Sequence, residues 1–189
     1  MAFEPFAMTA KHRTVMLLVI AEVLAMSLWF VSSAVLVDLR AELALSSTTA
    51  ALLASSVPAG FVVGALLIAS SCLADRLDPR RLFAVAAVLA ATVNAAFALL
   101  PPGGYGSIAV RLLTGLALAG VYPVGLKADY SPPALAGSLM SLQTAIGFAL
   151  SNLTVQATPF VANVFGWPVL FWILALGPLV GIVSMRGLR

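Results

Sequence analysis

The sequence is poor in charged residues. Only 9% of its 189 residues are charged and 62% are hydrophobic, whereas globular proteins average about 25% and about 45–50%. So few charges cannot cover a water-facing surface, which excludes a soluble enzyme and a disordered chain. The formal net charge of +3 is small, and no clustered basic face is present to bind nucleic acid. We therefore predict an integral membrane protein whose first partner is the lipid bilayer.

Cysteine and histidine are equally scarce, with one of each. Cys72 cannot form a disulfide within the chain and so gives no information about the redox compartment. His12 lies in the amino-terminal segment, and no zinc-ligand spacing, phosphate-binding loop or Ser/His/Asp set is present. We expect no enzymatic activity, no cofactor and no metal site.

Long apolar runs are what the sequence does contain. They are continuous rather than alternating, which favours membrane helices over a β-barrel. After a cytoplasmic amino-terminal segment, 1–13, the pattern predicts an all-α domain, 14–189. Its six transmembrane helices are predicted at 14–37, 48–70, 81–100, 105–126, 135–161 and 165–185.

The basic residues predict the orientation of these spans. If six helices alternate across the membrane, nearly all Lys and Arg residues fall on one side, and the other side has only Arg40 between Asp38 and Glu42. The positive-inside rule then places both termini in the cytoplasm. The first span is too long for a cleaved signal peptide and contains Glu22, so we expect it to be retained.

Two ionisable residues, Glu22 and Arg111, lie inside predicted spans. Each costs a few kcal/mol in lipid unless it faces protein or water. Glu22 is a candidate proton-binding carboxylate, and Arg111 is a candidate charge partner or anion-binding group. Alternatively, the two form a structural pair that only locks the bundle. They lie about 12 Å apart along the membrane normal, so a direct salt bridge requires tilt, long side chains or a water molecule.

Helical spacing places polar and aromatic residues beside these two charges. Trp29 follows Glu22 on the first span, and Tyr122 follows Arg111 on the fourth. The fifth span has the most polar stripe, which includes Asn152 and Gln156. We expect these six residues to line a substrate or proton pathway, although hydrogen bonds between helices explain each stripe residue equally well.

Small residues predict close helix packing in two spans. Gly60 and Gly64 form a GxxxG pattern in the second span, and Gly115 and Gly120 lie in the fourth. Such glycines allow two helix backbones to approach closely, although the pattern also arises by chance.

The segment between the second and third spans reads Ser71-Cys-Leu-Ala-Asp75-Arg76-Leu-Asp-Pro-Arg80-Arg81. It resembles the signature G-x-L-a-D-R-x-G-R-R of the major facilitator superfamily, with Ser71 in place of the first glycine and Asp78-Pro79, one residue longer, in place of the second. The resemblance implies a cytoplasmic gating motif made by Asp75, Arg76, Arg80 and Arg81. Setting the membrane topology is the simpler role for these arginines.

Two further segments support the resemblance. Arg111-Leu-Leu-Thr-Gly115 is similar to the R-x-x-x-G pattern of the family's fourth helix, where the arginine is often tied to substrate or proton coupling. The residues from Pro132 onward resemble the family's eleventh and twelfth helices, which gives a junction near Ala128. The family's Gly-Pro antiporter signature is missing from the fifth span.

The family has twelve helices, so the resemblance implies that this chain is one six-helix repeat. It further implies a half-sized secondary transporter of a small solute, working as a homodimer in a bacterial inner membrane. In such a dimer, the second helix, with Gly60 and Gly64, is expected near the fifth helix of the partner. The alternative is a non-transporting accessory subunit of a larger membrane protein complex.

Overall fold

The computed structural model describes residues 10–121 and 136–186. These two ranges contain helices and no strand. The helices are α1 (Ala10–Leu43), α2 (Ser47–Ser70), α3 (Leu73–Arg76), α4 (Pro79–Phe97), α5 (Tyr105–Leu118), α6 (Ala136–Phe165) and α7 (Trp167–Arg186).

Two of these helices start at polar caps. The hydroxyl of Ser46 accepts a hydrogen bond from the backbone N–H of Thr49 at 3.1 Å, which fixes the start of α2. The carboxylate of Asp78 accepts from the backbone N–H groups of Arg80 at 2.8 Å and Arg81 at 3.2 Å. Pro79 occupies the first turn of α4, where its missing N–H costs nothing.

The long helices overlap the six predicted spans, with two differences. The four-residue helix α3 was not predicted, because one turn of helix has no hydrophobic period. The fourth span was predicted to reach residue 126, whereas α5 ends at Leu118. The N–H groups of Gly120 and Val121 bond the carbonyls only three residues back, at 3.0 Å each, which tightens the chain after the helix.

Three helical segments within the described residues are long and apolar enough to cross a bilayer: Val23–Leu43, Ser47–Ser70 and Pro79–Phe97. The apolar helices Tyr105–Leu118 and Trp167–Val183 are shorter. At about 1.5 Å per residue, α5 is about 21 Å long, less than the hydrocarbon core of about 30 Å.

The helices pack in two similar groups of three. In one group α5 packs against α2 and α4, and in the other α1 packs against α6 and α7; α4 and α7 join the groups. Exchanging α1, α2 and α4 for α5, α6 and α7 therefore reproduces the main contacts. Such a relation between halves is typical of internally repeated membrane folds.

The interior consists of two apolar clusters with different side chains. One is rich in alanine and includes Ala21, Ala25, Ala87 and Ala90. The other is bulkier and consists of Val31, Val35, Leu39, Leu53, Phe97, Leu170 and Phe171. Alanines let helix backbones approach, and the larger side chains fill wider gaps between helices.

Glycines bring α2 and α5 into backbone contact. A Cβ atom added to Gly60 would overlap the Leu112 carbonyl, and one added to Gly115 would overlap the Val57 carbonyl. A Cβ at Gly64 would lie 2.6 Å from the Leu116 carbonyl oxygen. The expectation that Gly60 and Gly64 serve contact with a partner's helix is therefore corrected: they face α5 of the same chain. The fourth predicted glycine, Gly120, lies against Ala86 of α4.

Candidate functional site

Arg111 is the largest side chain that is fully buried among the described residues, with 0% of its surface exposed. Its Nη1 donates to Oδ1 of Asn94 at 2.8 Å, and its Nη2 donates to the Leu28 carbonyl oxygen at 2.9 Å. A helical carbonyl oxygen has a second lone pair that can accept such a bond. Arg111 therefore ties α5 to α4 and to the backbone of α1.

Asn94 extends this network to α7. Its Nδ2 donates to the Phe171 carbonyl oxygen at 3.0 Å, while its Oδ1 accepts from Arg111. The amide orientation is thereby determined, because the opposite orientation would point two donors at the guanidinium group. One amide and one guanidinium group thus connect α1, α4, α5 and α7.

Two aromatic rings also lie beside the guanidinium group. Its Cζ atom lies 5.9 Å from the ring centroid of Phe97 and 5.7 Å from that of Phe171. The two rings are stacked, with centroids 4.5 Å apart. Ring faces attract a cation more strongly at a buried position than at an exposed one, and Arg111 is fully buried. Among the described contacts of the guanidinium group, the amide, the carbonyl and both rings are neutral, and they stabilise its positive charge by dipoles and ring faces.

The pathway residues predicted on the first and fourth spans are only partly described. The backbone of Glu22 belongs to α1, but its side chain lies outside the described residues, as does all of Tyr122. Trp29 is half-buried and packs edge-on against Phe61 of α2, with centroids 4.9 Å apart. Trp29 directly follows Leu28, whose carbonyl Arg111 holds.

The polar residues predicted on the fifth span lie on an uncovered face of α6. Asn152 and Gln156 are exposed, as is Phe148 of the same stripe. Phe148 contacts Phe30 of α1 with ring centroids 6.1 Å apart. The exposed amide face therefore lies beside the contact between α6 and α1. The structure therefore separates the predicted residues into an enclosed arginine and an open amide face.

The gating-motif residues are all exposed. Asp75 and Arg76 belong to α3, and Arg80 and Arg81 lie in the first turn of α4. Cys72, just before α3, has a left-handed backbone with φ of 51°. Ser71, which stands where the family signature has glycine, has φ of −85°, so its backbone does not require glycine.

Sequence reasoning overlooked Asn94, which connects Arg111 to α7. The available signal was an amide within the apolar run of the third span, because such a residue needs a partner in lipid. The identity of that partner depends on helix packing and cannot be read from the sequence.

Comparison with known proteins gives one match. The model of the Major Facilitator Superfamily matches residues 18–188 of this chain. No curated protein and no solved structure matches it.

Proposed function

Because the chain belongs to the major facilitator superfamily and is a multi-pass membrane protein, we propose that it is a half-sized secondary transporter of a small solute that works as a homodimer. Transporters of this kind move a substrate by rocking two halves about a shared central site. A chain of 189 residues supplies one such half, and a second copy supplies the other.

We base the arrangement in the membrane on the helices and the basic residues. Six helices, α1, α2, α4, α5, α6 and α7, form one repeat. Both termini lie on the cytoplasmic side of a bacterial inner membrane, because the loops on that side contain nearly all the Lys and Arg residues. Reporter fusions at Gly103 and Asp129 test the arrangement, and finding both positions on one side of the membrane would contradict it.

The exposed amide face of α6 is the observation that carries the proposal. Asn152 and Gln156 lie within an otherwise apolar helix, and no other described helix covers them. Amide groups facing lipid lose the hydrogen bonds that water would give them. Membrane proteins therefore turn such groups toward a water-filled cavity or another helix. In a homodimer, the second copy would provide a neighbouring helix and would enclose a cavity beside these amides.

The depths of α2 and α6 support a contact between copies. Gln156 lies nine residues before the end of α6 at Phe165, and Ser55 lies eight residues after the start of α2 at Ser47. At about 1.5 Å per residue, both lie about 12–14 Å from the same membrane face. Ser55 is exposed, so α2 of one copy can present a hydroxyl group opposite Gln156 of the other.

Within this dimer, we assign the pathway residues as follows. Glu22 and Trp29 of α1, with Asn152 and Gln156 of α6, line the solute path, and Glu22 is the candidate proton site; Tyr122 extends the path. Arg111 supports the path by fixing the Leu28 carbonyl next to Trp29. Asp75, Arg76, Arg80 and Arg81 form the cytoplasmic gating motif.

Solute flux tests the proposal. Proteoliposomes containing the purified chain are assayed with a panel of radiolabelled sugars, amino acids and organic anions, with and without a pH gradient. We expect uptake of at least one class, reduced tenfold or more by Gln156→Leu, and little changed by Leu153→Ala at an exposed apolar position of the same helix. A stoichiometric larger membrane protein that co-purifies with the chain, without flux by the chain alone, would favour the accessory-subunit alternative.

A further inference from the structure

A second surface, separate from the amide face, lies between α2 and α4. Both helices pack against α5, but they leave an apolar groove of about 260 Å³ between them. Leu67 of α2 and Val85 of α4 form its sides, Leu116 and Gly120 lie at its floor, and Leu73 of α3 lies at one end.

Basic residues lie at the end of the groove where α3 crosses. Arg76 follows the groove residue Leu73 by three positions on α3, and Arg81 precedes Val85 by four positions on α4. Residues three or four apart share a helix face, so both arginines lie on the faces that form the groove. Both are exposed. The groove is thus apolar along its length and cationic at its membrane-surface end.

We propose that this groove is a binding site for an anionic phospholipid. One acyl chain lies between α2 and α4, and the phosphate group lies between Arg76 and Arg81. Basic pockets between transmembrane helices on the cytoplasmic side are typical sites for acidic lipid head groups. The proposal requires only the membrane location of the chain and does not depend on transport or on the homodimer.

The charges near this site favour an anionic over a zwitterionic lipid. Three arginines and two aspartates lie between Ser71 and Leu82, and the carboxylate of Asp78 is engaged in capping α4. The amino terminus of α4 also directs its positive dipole end toward this surface. Membrane topology alone accounts for arginines in this loop, but not for an apolar groove that ends beside them.

Lipid binding by the purified full-length chain tests the proposal. Native mass spectrometry in detergent measures the apparent Kd for phosphatidylglycerol and for phosphatidylcholine with the same acyl chains. We expect at least one tightly held phosphatidylglycerol and weaker binding of phosphatidylcholine. Arg81→Gln should weaken phosphatidylglycerol binding about fivefold, which corresponds to about 1 kcal/mol per basic residue near the membrane surface. Arg40→Gln, at the other end of the helices, should change it less than twofold.

Filling the groove provides an independent test. Val85 lines the groove and is 60% exposed, so Val85→Trp should reduce binding of both lipids without disturbing the core. Val183→Trp adds the same side chain to an exposed position of α7, which does not line the groove, and should change neither. Leu89→Trp repeats the test if Val85→Trp does not fold. Equal binding of the two lipids, equal effects of Arg81→Gln and Arg40→Gln, or equal effects of the two tryptophans would each overturn the proposal.

Discussion

Polar groups in the interior of the helix bundle have hydrogen-bond partners in the same chain, whereas the amide groups on the exposed face of α6 lie at its surface. Inside, the guanidinium group of Arg111 and the amide of Asn94 bond to each other and to two backbone carbonyls. On α6, the amides of Asn152 and Gln156 are exposed. Interior contacts therefore hold one chain together, whereas the α6 amides lie on the surface of the described chain, where the proposed second copy would cover them. Interior substitutions should therefore lower the stability of the chain, and substitutions on the exposed face of α6 should leave it nearly unchanged.

The largest expected effect is at the glycine contact between α2 and α5. Gly60→Ala places a methyl group inside the Leu112 carbonyl, and two helix backbones must move apart to accept it. We expect a loss of about 3 kcal/mol or more in the free energy of unfolding, at or above the usual range for overpacking. An SDS titration of the purified protein measures this loss.

Gly106→Ala is the matched control for this substitution. An added Cβ at Gly106 would meet nothing closer than 3.8 Å, and alanine favours helix. We expect its stability to equal or slightly exceed that of the parent. Equal stability of Gly60→Ala and Gly106→Ala would contradict the close packing of α2 on α5.

The next largest effect is expected in the polar network. Asn94→Leu removes the acceptor of the Arg111 Nη1 group and the donor to Phe171, at a fully buried position. We expect a loss of about 2–3 kcal/mol, since hydrogen bonds to charged groups contribute about 1.5–3 kcal/mol. Asn163→Leu, at an exposed position of α6, should change stability by less than about 0.5 kcal/mol.

A double-mutant cycle tests whether Asn94 acts through Arg111. Once Arg111→Met has removed the guanidinium group, Asn94→Leu should cost less than it does in the parent, because contacting residues are not additive. Additive losses would mean that the two side chains stabilise the fold independently.

A smaller effect is expected from the aromatic rings around Arg111. Phe171→Leu removes one ring face from the guanidinium group and one stacking partner from Phe97. We expect a loss of about 1–2 kcal/mol from ring contacts of this kind. Phe160→Leu, at an exposed position, makes the same chemical change outside the interior. Thermal unfolding of the two variants side by side separates ring contacts from the general effect of losing an aromatic residue.

The smallest effect is expected where the backbone is left-handed. Cys72→Gly relieves the positive φ at this position, and the gain exceeds the entropic cost of glycine by about 0.5 kcal/mol. Ser71→Gly should instead destabilise, because Ser71 is not left-handed and its hydroxyl donates to the Leu67 carbonyl at 2.6 Å. If both glycines act in the same direction, the backbone assignment of this segment is wrong.

The sequence was most informative about features that depend on residue type alone, such as apolar helices and a short charged motif. Long apolar runs located the long helices, and the Asp-Arg pattern together with the position of Arg111 indicated the family that the match over residues 18–188 establishes. The sequence did not show which helices pack against each other in the folded chain. The GxxxG pattern of Gly60 and Gly64 predicted close packing but not against which helix, because many surfaces accept a flat glycine face.

The polar residues illustrate the same limit. The charge of Arg111 within a span signalled an unusual environment, but its bonds to Asn94 and to the Leu28 carbonyl depend on the packing of α1 and α4 against α5. The exposure of Asn152 and Gln156 likewise depends on which helices surround α6. The sequence shows that polar groups in apolar helices need hydrogen-bond partners. Only the packing of the helices shows which of these groups have a partner within the described residues.

Cross-linking in native membranes tests the proposed homodimer most directly. In a Cys72→Ser background, Ser55→Cys on α2 combined with Gln156→Cys on α6 places two thiols at similar depth on helices of different copies. We predict that mild oxidation converts most of the protein into a disulfide-linked dimer, while either cysteine alone, or Gln156→Cys with Val85→Cys on α4, stays monomeric. A monomer after oxidation of the Ser55/Gln156 pair, with both thiols still reactive, would contradict the homodimer.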